Sequence, residues 1–279
     1  MKIKSILSRT IRDRRLHSLW SFLNRLSFYG MNYEVASGYA DYSGELHVIR
    51  SLKKYLWTIE NAIVFDIGAN VGDWSKFAID EYSDLEYSLY MFEPAQNTFD
   101  RLISNISAST KNKFFKLAFG DSIGESVIYY DYDMQGSASI LNDQNFGLSE
   151  KIKIDTLTNF CKQECISKIN FLKMDVQGYE YNVLIGAKEM IETHNIDIIQ
   201  FEFDSPNIEN KVYFKDFYQL LCNDYYIYKI LYNGFVKIEE YNYKLENYMC
   251  LNYLAVRKNC HLELDTVVSS WEVIFDWPT

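Results

Sequence analysis

Residues 64–75 read VFDIGANVGDWS, and the order of side chains in that stretch sets the expectation for the rest of the chain. Val64, Phe65 and Ile67 make a short apolar run suited to a buried strand. Gly68 and Gly72 bracket a tight turn, and 73–81 carries the period of an amphipathic helix. Strand, glycine turn and helix in that order leave backbone N–H groups and the positive end of a helix beside a bound carboxylate or phosphate. A dinucleotide fingerprint requires G-x-G-x-x-G so that the main chain can approach a pyrophosphate, whereas here the middle position is Asn70, in G-A-N-V-G. The spacing favours a ligand without a pyrophosphate. S-adenosylmethionine fits, since its carboxylate can take the helix N-terminus and Asp66, at the strand end, can face its ammonium. Gly68, Ala69, Asn70 and Gly72 are then the loop residues expected to border it. Any α/β domain turns from strand to helix with glycines, so the ligand reading needs support from further along the chain.

Working outward, Glu45 to Trp57 reads as a helix leading into this strand, and 88–92 as a second strand ending in Glu93-Pro94. An acid about twenty residues beyond the glycine turn is placed to accept both ribose hydroxyls of an adenosine. Pro94 stops the strand, and 97–107 is expected to be a helix. A third strand over 113–118 precedes Gly120-Asp121, at the sheet edge where adenine would lie. Period-two alternation at 127–129, 138–141 and 151–154 predicts a small antiparallel addition. Asp155 is expected to cap a helix over 156–164. Ile169 to Met174 reads as a buried strand ending in Asp175, with Gln177, Gly178 and Glu180 before a helix to Thr193. Strands are expected at 196–203, ending in Glu202 and Asp204, at 225–232 and at 249–256, with a helix over 213–222. The alternation predicts a mostly parallel sheet with helices on both faces and an antiparallel pair at the end.

The 279 residues suffice for one sizeable core, and 38 acids against 28 bases speak against a nucleic-acid partner. Five cysteines without a C-x-x-C pair suggest a reduced compartment, and no metal-ligand set is assigned. Cys161 and Cys165 are expected to serve apolar packing. No apolar run approaches a membrane span and no signal peptide is legible, so the expected location is cytoplasmic. Residues 1–44 form a basic helical extension to a domain over 45–279. Up to Phe28 the extension carries seven basic side chains and one acid, Asp13, on helically spaced apolar residues. Its apolar face is expected to dock on the acidic body, with peripheral contact to an anionic membrane as the alternative.

The segments FDIGANVG at 65–72, FEP at 92–94, AFGDSIGE at 118–125 and LKMDVQGYE at 172–180 together resemble the FkbM family of S-adenosylmethionine-dependent methyltransferases. The resemblance covers roughly 45–202. It implies a Rossmann-like class I methyltransferase fold with a seven-stranded sheet, and O-methylation of a hydroxyl on a sugar, glycan or secondary metabolite. Asp66, Gly68, Asn70 and Gly72 match the cofactor loop, Glu93 the ribose acid and Asp121 the adenine-side loop. Lys173, Asp175 and Glu180 match the family's K-x-D-x-E-G-x-E segment, while Gln177 stands where an acid is common.

Methyl transfer from a sulfonium is an in-line displacement, and a sugar hydroxyl needs a base or a metal beside the methyl. Asp175, at the end of a strand expected next to the glycine-turn strand, is the first candidate, with Glu180 beside it in sequence. His194, between a helix and a strand, belongs at the opposite sheet edge, and His17 and His261 lie outside the core. His47 is the remaining histidine within reach, with a surface position on the preceding helix as its plainer role. A nicotinamide-dependent oxidoreductase would share the turn and the ribose acid, but Asn70 and KMDVQGYE speak against it. A noncatalytic cofactor-binding relative is the other alternative.

Overall fold

The central strands are apolar at nearly every position because both faces of the sheet are covered. A computed structural model describes residues 11, 13–33, 40–130 and 148–267. The strands are β1 (Ala62–Ile67), β2 (Tyr87–Phe92), β3 (Asn112–Phe115), β4 (Ala118–Phe119), β5 (Gly124–Tyr130), β6 (Leu148–Asp155), β7 (Ile169–Met174), β8 (Ile196–Phe203), β9 (Tyr225–Leu231), β10 (Gly234–Ile238) and β11 (Leu251–Arg257). Eight of them form one sheet in the order β10-β9-β11-β8-β7-β1-β2-β3, and β4-β6-β5 form a small second sheet. β3, β2, β1, β7 and β8 run parallel, and β11 is antiparallel to both β8 and β9.

Successive residues of the central strands face opposite layers, as a strand period of two requires. Val64, Phe171 and Ile198 pack under α2 (Glu45–Trp57), α3 (Asp73–Glu81) and α4 (Gln96–Asn105), through Val48, Leu52, Trp74, Ala78 and Leu102. Phe65, Leu172 and Ile199 face the other layer, built by α5 (Leu157–Gln163), α6 (Glu180–Gly186) and α7 (Phe214–Leu221). There Phe217 stacks on Phe201 at a centroid distance of 4.8 Å, and each such fully buried ring contributes roughly 1.5–3 kcal/mol by burial.

Several expectations are corrected. The main sheet has eight strands rather than seven, because Tyr232 and Asn233 turn β9 back into β10. The stretch 113–118 divides, β3 closing the main sheet while β4 pairs with β6. The helix after β7 breaks at Ala187, where the Gly186 backbone packs against the Gly120 carbonyl too closely for a side chain. Thr156, not Asp155, is the N-cap of α5, accepting from the Asn159 N–H at 3.2 Å, while Asp155 accepts from the Thr156 N–H and the Asn159 amide. Residues 138–141 lie outside the described residues. Cys161 is buried but Cys165 is exposed, beyond the end of α5.

The N-terminal helix, α1 (His17–Gly30), fully buries none of its residues, and among the described residues it meets the core through the partly buried Phe28 near its end. The chain is fastened just after it by Asn32, whose amide donates to the carbonyls of Ser43 and Ile230 at 2.8 and 3.2 Å. No helix among the described residues is long and apolar enough to cross a membrane.

Candidate active site

In an open α/β sheet, ligands bind outside the C-terminal ends of the strands where the strand order reverses. Here the chain runs outward from β1 to β2 and β3, and then returns to lay β7 on the other side of β1. Asp66, Gly68, Glu93 and Asp175 come from the ends of β1, β2 and β7, and the fold gathers them at that crevice. The Asp175 N–H donates to the Ile67 carbonyl at 3.0 Å, and the Asp175 carbonyl lies where a Cβ on Gly68 would be. Gly68 also sits at φ +77°, so both the backbone conformation and the approach of β7 require glycine.

The loop N–H groups are shared among neighbours. Gly68 and Ala69 donate to the Phe92 carbonyl at 3.0 and 2.9 Å, and Asn70, at φ 50°, donates to Glu93 Oε2 at 3.1 Å. Glu93 Oε1 accepts from the Ala95 N–H at 3.0 Å. Burial pushes the Glu93 carboxyl up to about 7, against the pull of those two N–H groups. Pro94 follows it half-buried. Gly72 begins α3 with no side-chain cap, which leaves the positive end of that helix to a ligand.

Asp66 plays a different part from the one expected. It is fully buried, and its two oxygens accept from Ser75 Oγ at 2.6 Å and Lys173 Nζ at 3.0 Å. With both oxygens engaged beneath the turn, it locks α3 to β7 rather than presenting a carboxylate to an ammonium. Burial opposes the charged form of Lys173, but Asp66, Asp175 and Glu45 outweigh it and hold its pKa above the ordinary value. The same polar layer continues through Gln200, paired in register with Lys173, whose amide donates to Glu45 at 2.9 Å. Burial raises the Glu45 carboxyl above its usual range, partly offset by Lys173.

A cluster of acids borders the crevice on the β7–β8 side. Asp175 is the accessible member, its side chain 41% exposed, with Oδ1 accepting from Gln177 at 3.0 Å and Oδ2 3.9 Å from Lys173 Nζ. Glu180 is fully buried and accepts from the Val176 N–H at 2.8 Å. Burial lifts its carboxyl to about 8, with the charges of Asp204 and Asp175 acting in the same direction. Gly178, at φ +88°, packs against Pro206 and Asn207, which closes this side of the site. Glu202 and Asp204 complete the cluster. Burial and then Asp175 raise Asp204 to about 7, and burial with the charges of Asp175 and Asp204 raises Glu202 well above its ordinary value.

Two expected residues sit away from these acids. His47 turns its ring onto Phe235 of β10, at a centroid distance of 5.2 Å. Asp121 lies exposed in the turn after β4, 3.5 Å from the Asn182 amide of α6. Conversely, Glu45, Glu202 and Asp204 belong to the site but carry no motif. The available signal was positional, since Glu202 and Asp204 end a strand two places from β1, as Asp175 ends the strand between them.

A mostly parallel sheet with two reversed strands, β11 inserted between β8 and β9 and β10 at the edge, a glycine turn after the first strand and an acid ending the second define a class I methyltransferase-like α/β protein. The chain belongs to the FkbM methyltransferase family, whose domain matches residues 66–244. It is 26% identical over 160 residues to the hexuronic acid methyltransferase AglP of Haloferax volcanii, an alignment that covers 57% of this chain and 63% of that protein. An uncharacterized protein of Methanocaldococcus jannaschii is 27% identical over 135 residues, 47% of this chain and 75% of the relative. The crystal structure of methyltransferase FkbM from Methylobacillus flagellatus KT superposes with a TM-score of 0.42 at 14% identity, covering 70% of this chain and 43% of that one.

Proposed function

We propose that the chain binds S-adenosylmethionine at the glycine turn and methylates a hydroxyl group of a sugar or glycan. The observation that carries this reading is the meeting of the turn with Asp175: an uncapped helix end, a buried ribose-type acid and an accessible carboxylate border one crevice. The donor set fits the cofactor, with N–H groups of α3 for its carboxylate and Glu93 for its ribose hydroxyls. Bound there, S-adenosylmethionine supplies a methyl group on a sulfonium. The sugar acceptor is supported by AglP, named for its action on a hexuronic acid.

In this reading Asp175 receives the acceptor. Gln177 holds its Oδ1, which leaves Oδ2 to take the hydroxyl proton. Asp204, beside it, orients the hydroxyl, and the fully buried Glu180 backs the Asp175 side of the crevice against water. His47, its ring tilted against Phe235, has no step in this arrangement.

Calorimetric titration with S-adenosylmethionine, S-adenosylhomocysteine and NAD tests the cofactor, and NAD binding in place of the other two would overturn it. With a panel of uronic acids and glycans as acceptors, Asp175→Asn is expected to lower turnover by about two to four orders of magnitude while cofactor affinity stays within a few fold. Turnover retained within a few fold would reject Asp175 as the base.

A further inference from the structure

The antiparallel ladder between β11 and β8 pairs Asn252 with Glu202, which sets Cys250, just before β11, against the end of β8. Cys250 Sγ donates to Glu202 Oε1 at 2.8 Å, and the ligand atoms of Glu202, Asp204 and Cys250 all lie within 4.8 Å of one another. Both carboxylates are buried, and Lys173, 3.9 Å from the neighbouring Asp175, is engaged by Asp66. A second observation comes from the neighbours of the cluster. Glu180 Oε2, on a fully buried side chain beside Asp204 and Asp175, has no hydrogen-bond partner among the described residues. Neither does Oδ1 of the buried Asn207, whose amide nitrogen lies 3.3 Å from Asp204 Oδ1. Carboxylates gathered with unpartnered acceptors call for a cation.

We propose that Glu202, Asp204 and Cys250 bind a divalent transition-metal ion. In a tetrahedral site a thiolate bond of about 2.3 Å and carboxylate bonds of about 2.1 Å set ligand atoms about 3.4–3.6 Å apart, so the widest pairs of the cluster close by up to about 1 Å while Cys250 Sγ and Glu202 Oε1 move slightly apart. The thiolate selects zinc, cobalt or iron over magnesium and calcium. Ligands bind deprotonated, so binding releases to solvent the Cys250 proton together with those the two buried carboxyls carry. Three protein ligands leave a coordination position for an acceptor oxygen, which would turn a pocket that repels electron-rich oxygens into one that holds them. Only this last role rests on the function proposed above.

The test is titration of the full-length, chelator-treated protein with Co²⁺ and Zn²⁺. One saturable site per chain is expected, with a sulfur-to-cobalt charge-transfer band in the near ultraviolet. Cys250→Ser is expected to abolish the band and, like Asp204→Asn, to weaken binding by at least about tenfold. Circular dichroism checks that both variants fold. No saturable binding, or the same spectrum and affinity in both variants as in the parent, would overturn the proposal. S-adenosylmethionine binding measured on the same samples separates the two readings: cofactor bound without metal sinks the metal site alone, and metal bound without cofactor sinks the methyltransferase reading alone.

An independent observation concerns α1. Leu19, Phe22, Leu23 and Leu26 fall on one helical face and are each 39–62% exposed, alongside Arg25 and following Arg14 and Arg15. The seven basic residues up to Phe28 oppose the acidity of a chain whose net charge is −10. An apolar face with a basic rim, left uncovered by the described residues, matches an anionic lipid surface, and we infer that α1 lies on one. Full-length protein is expected to sediment with phosphatidylserine-containing vesicles but not with phosphatidylcholine alone, and Phe22→Glu with Leu26→Glu should abolish it. Equal sedimentation of parent and double variant would overturn the inference, as would self-association of the parent without any vesicle binding.

Discussion

Cofactor affinity is expected to fall on acidification through Glu93. Its carboxyl, raised to about 7 by burial, is half protonated near neutrality in the free protein. Ribose hydroxyls donate to the charged form, so binding draws the pKa back toward the ordinary value of 4.5. The sign follows: the bound state holds the proton less tightly, binding releases it, and affinity declines as pH falls below 7. For pKa values of about 7 free and about 4.5 bound, affinity at pH 5 is about 40-fold weaker than at pH 7, or about 2 kcal/mol. Folding stability responds in the opposite direction. The folded state binds this proton more tightly than the unfolded chain, so the contribution of Glu93 is largest below pH 4.5 and declines as pH rises through 7. Titration with S-adenosylhomocysteine in two buffers of different ionisation enthalpy measures both affinity and proton release, which should approach one proton near pH 6. Glu93→Gln should flatten the profile. It also sets an amide N–H₂ against the Asn70 or Ala95 N–H, at a stability cost of about 1–3 kcal/mol. A parent affinity unchanged from pH 5 to 7, with no proton released, would refute the assignment.

Lys173→Met strands the buried Asp66 carboxylate and is expected to destabilise the fold by about 3–5 kcal/mol, read from the urea midpoint, whereas the paired change Lys173→Met with Asp66→Leu should recover much of it. Gly68→Ala forces a side chain onto the Asp175 carbonyl at a positive φ, so cofactor binding should be lost together with more than about 1 kcal/mol of stability; a variant that binds and melts like the parent would show that β7 does not press on the turn.

Local order was legible wherever the chain encodes it locally. The apolar period of β1, β7 and β8, the glycine turn and the helix after it follow from residues adjacent in sequence, and the strands and α3 lie where that pattern puts them. Asn233-Gly234 marks the neighbourhood of the reversal into β10, but the turn residues are Tyr232 and Asn233, and Gly234 already pairs with Leu231. What tertiary structure alone decided is the partner of each charge. Asp66 and Lys173 are 107 residues apart and meet only because β1 and β7 pair in register. Cys250 and Glu202 meet because β11 inserts antiparallel beside β8. Periodicity specifies which face a side chain takes but not which strand lies next to it. The pKa values of these acids are set by burial and by charges arriving from distant strands, so which carboxylate lies open at the crevice and which is enclosed beneath it was settled by the sheet order.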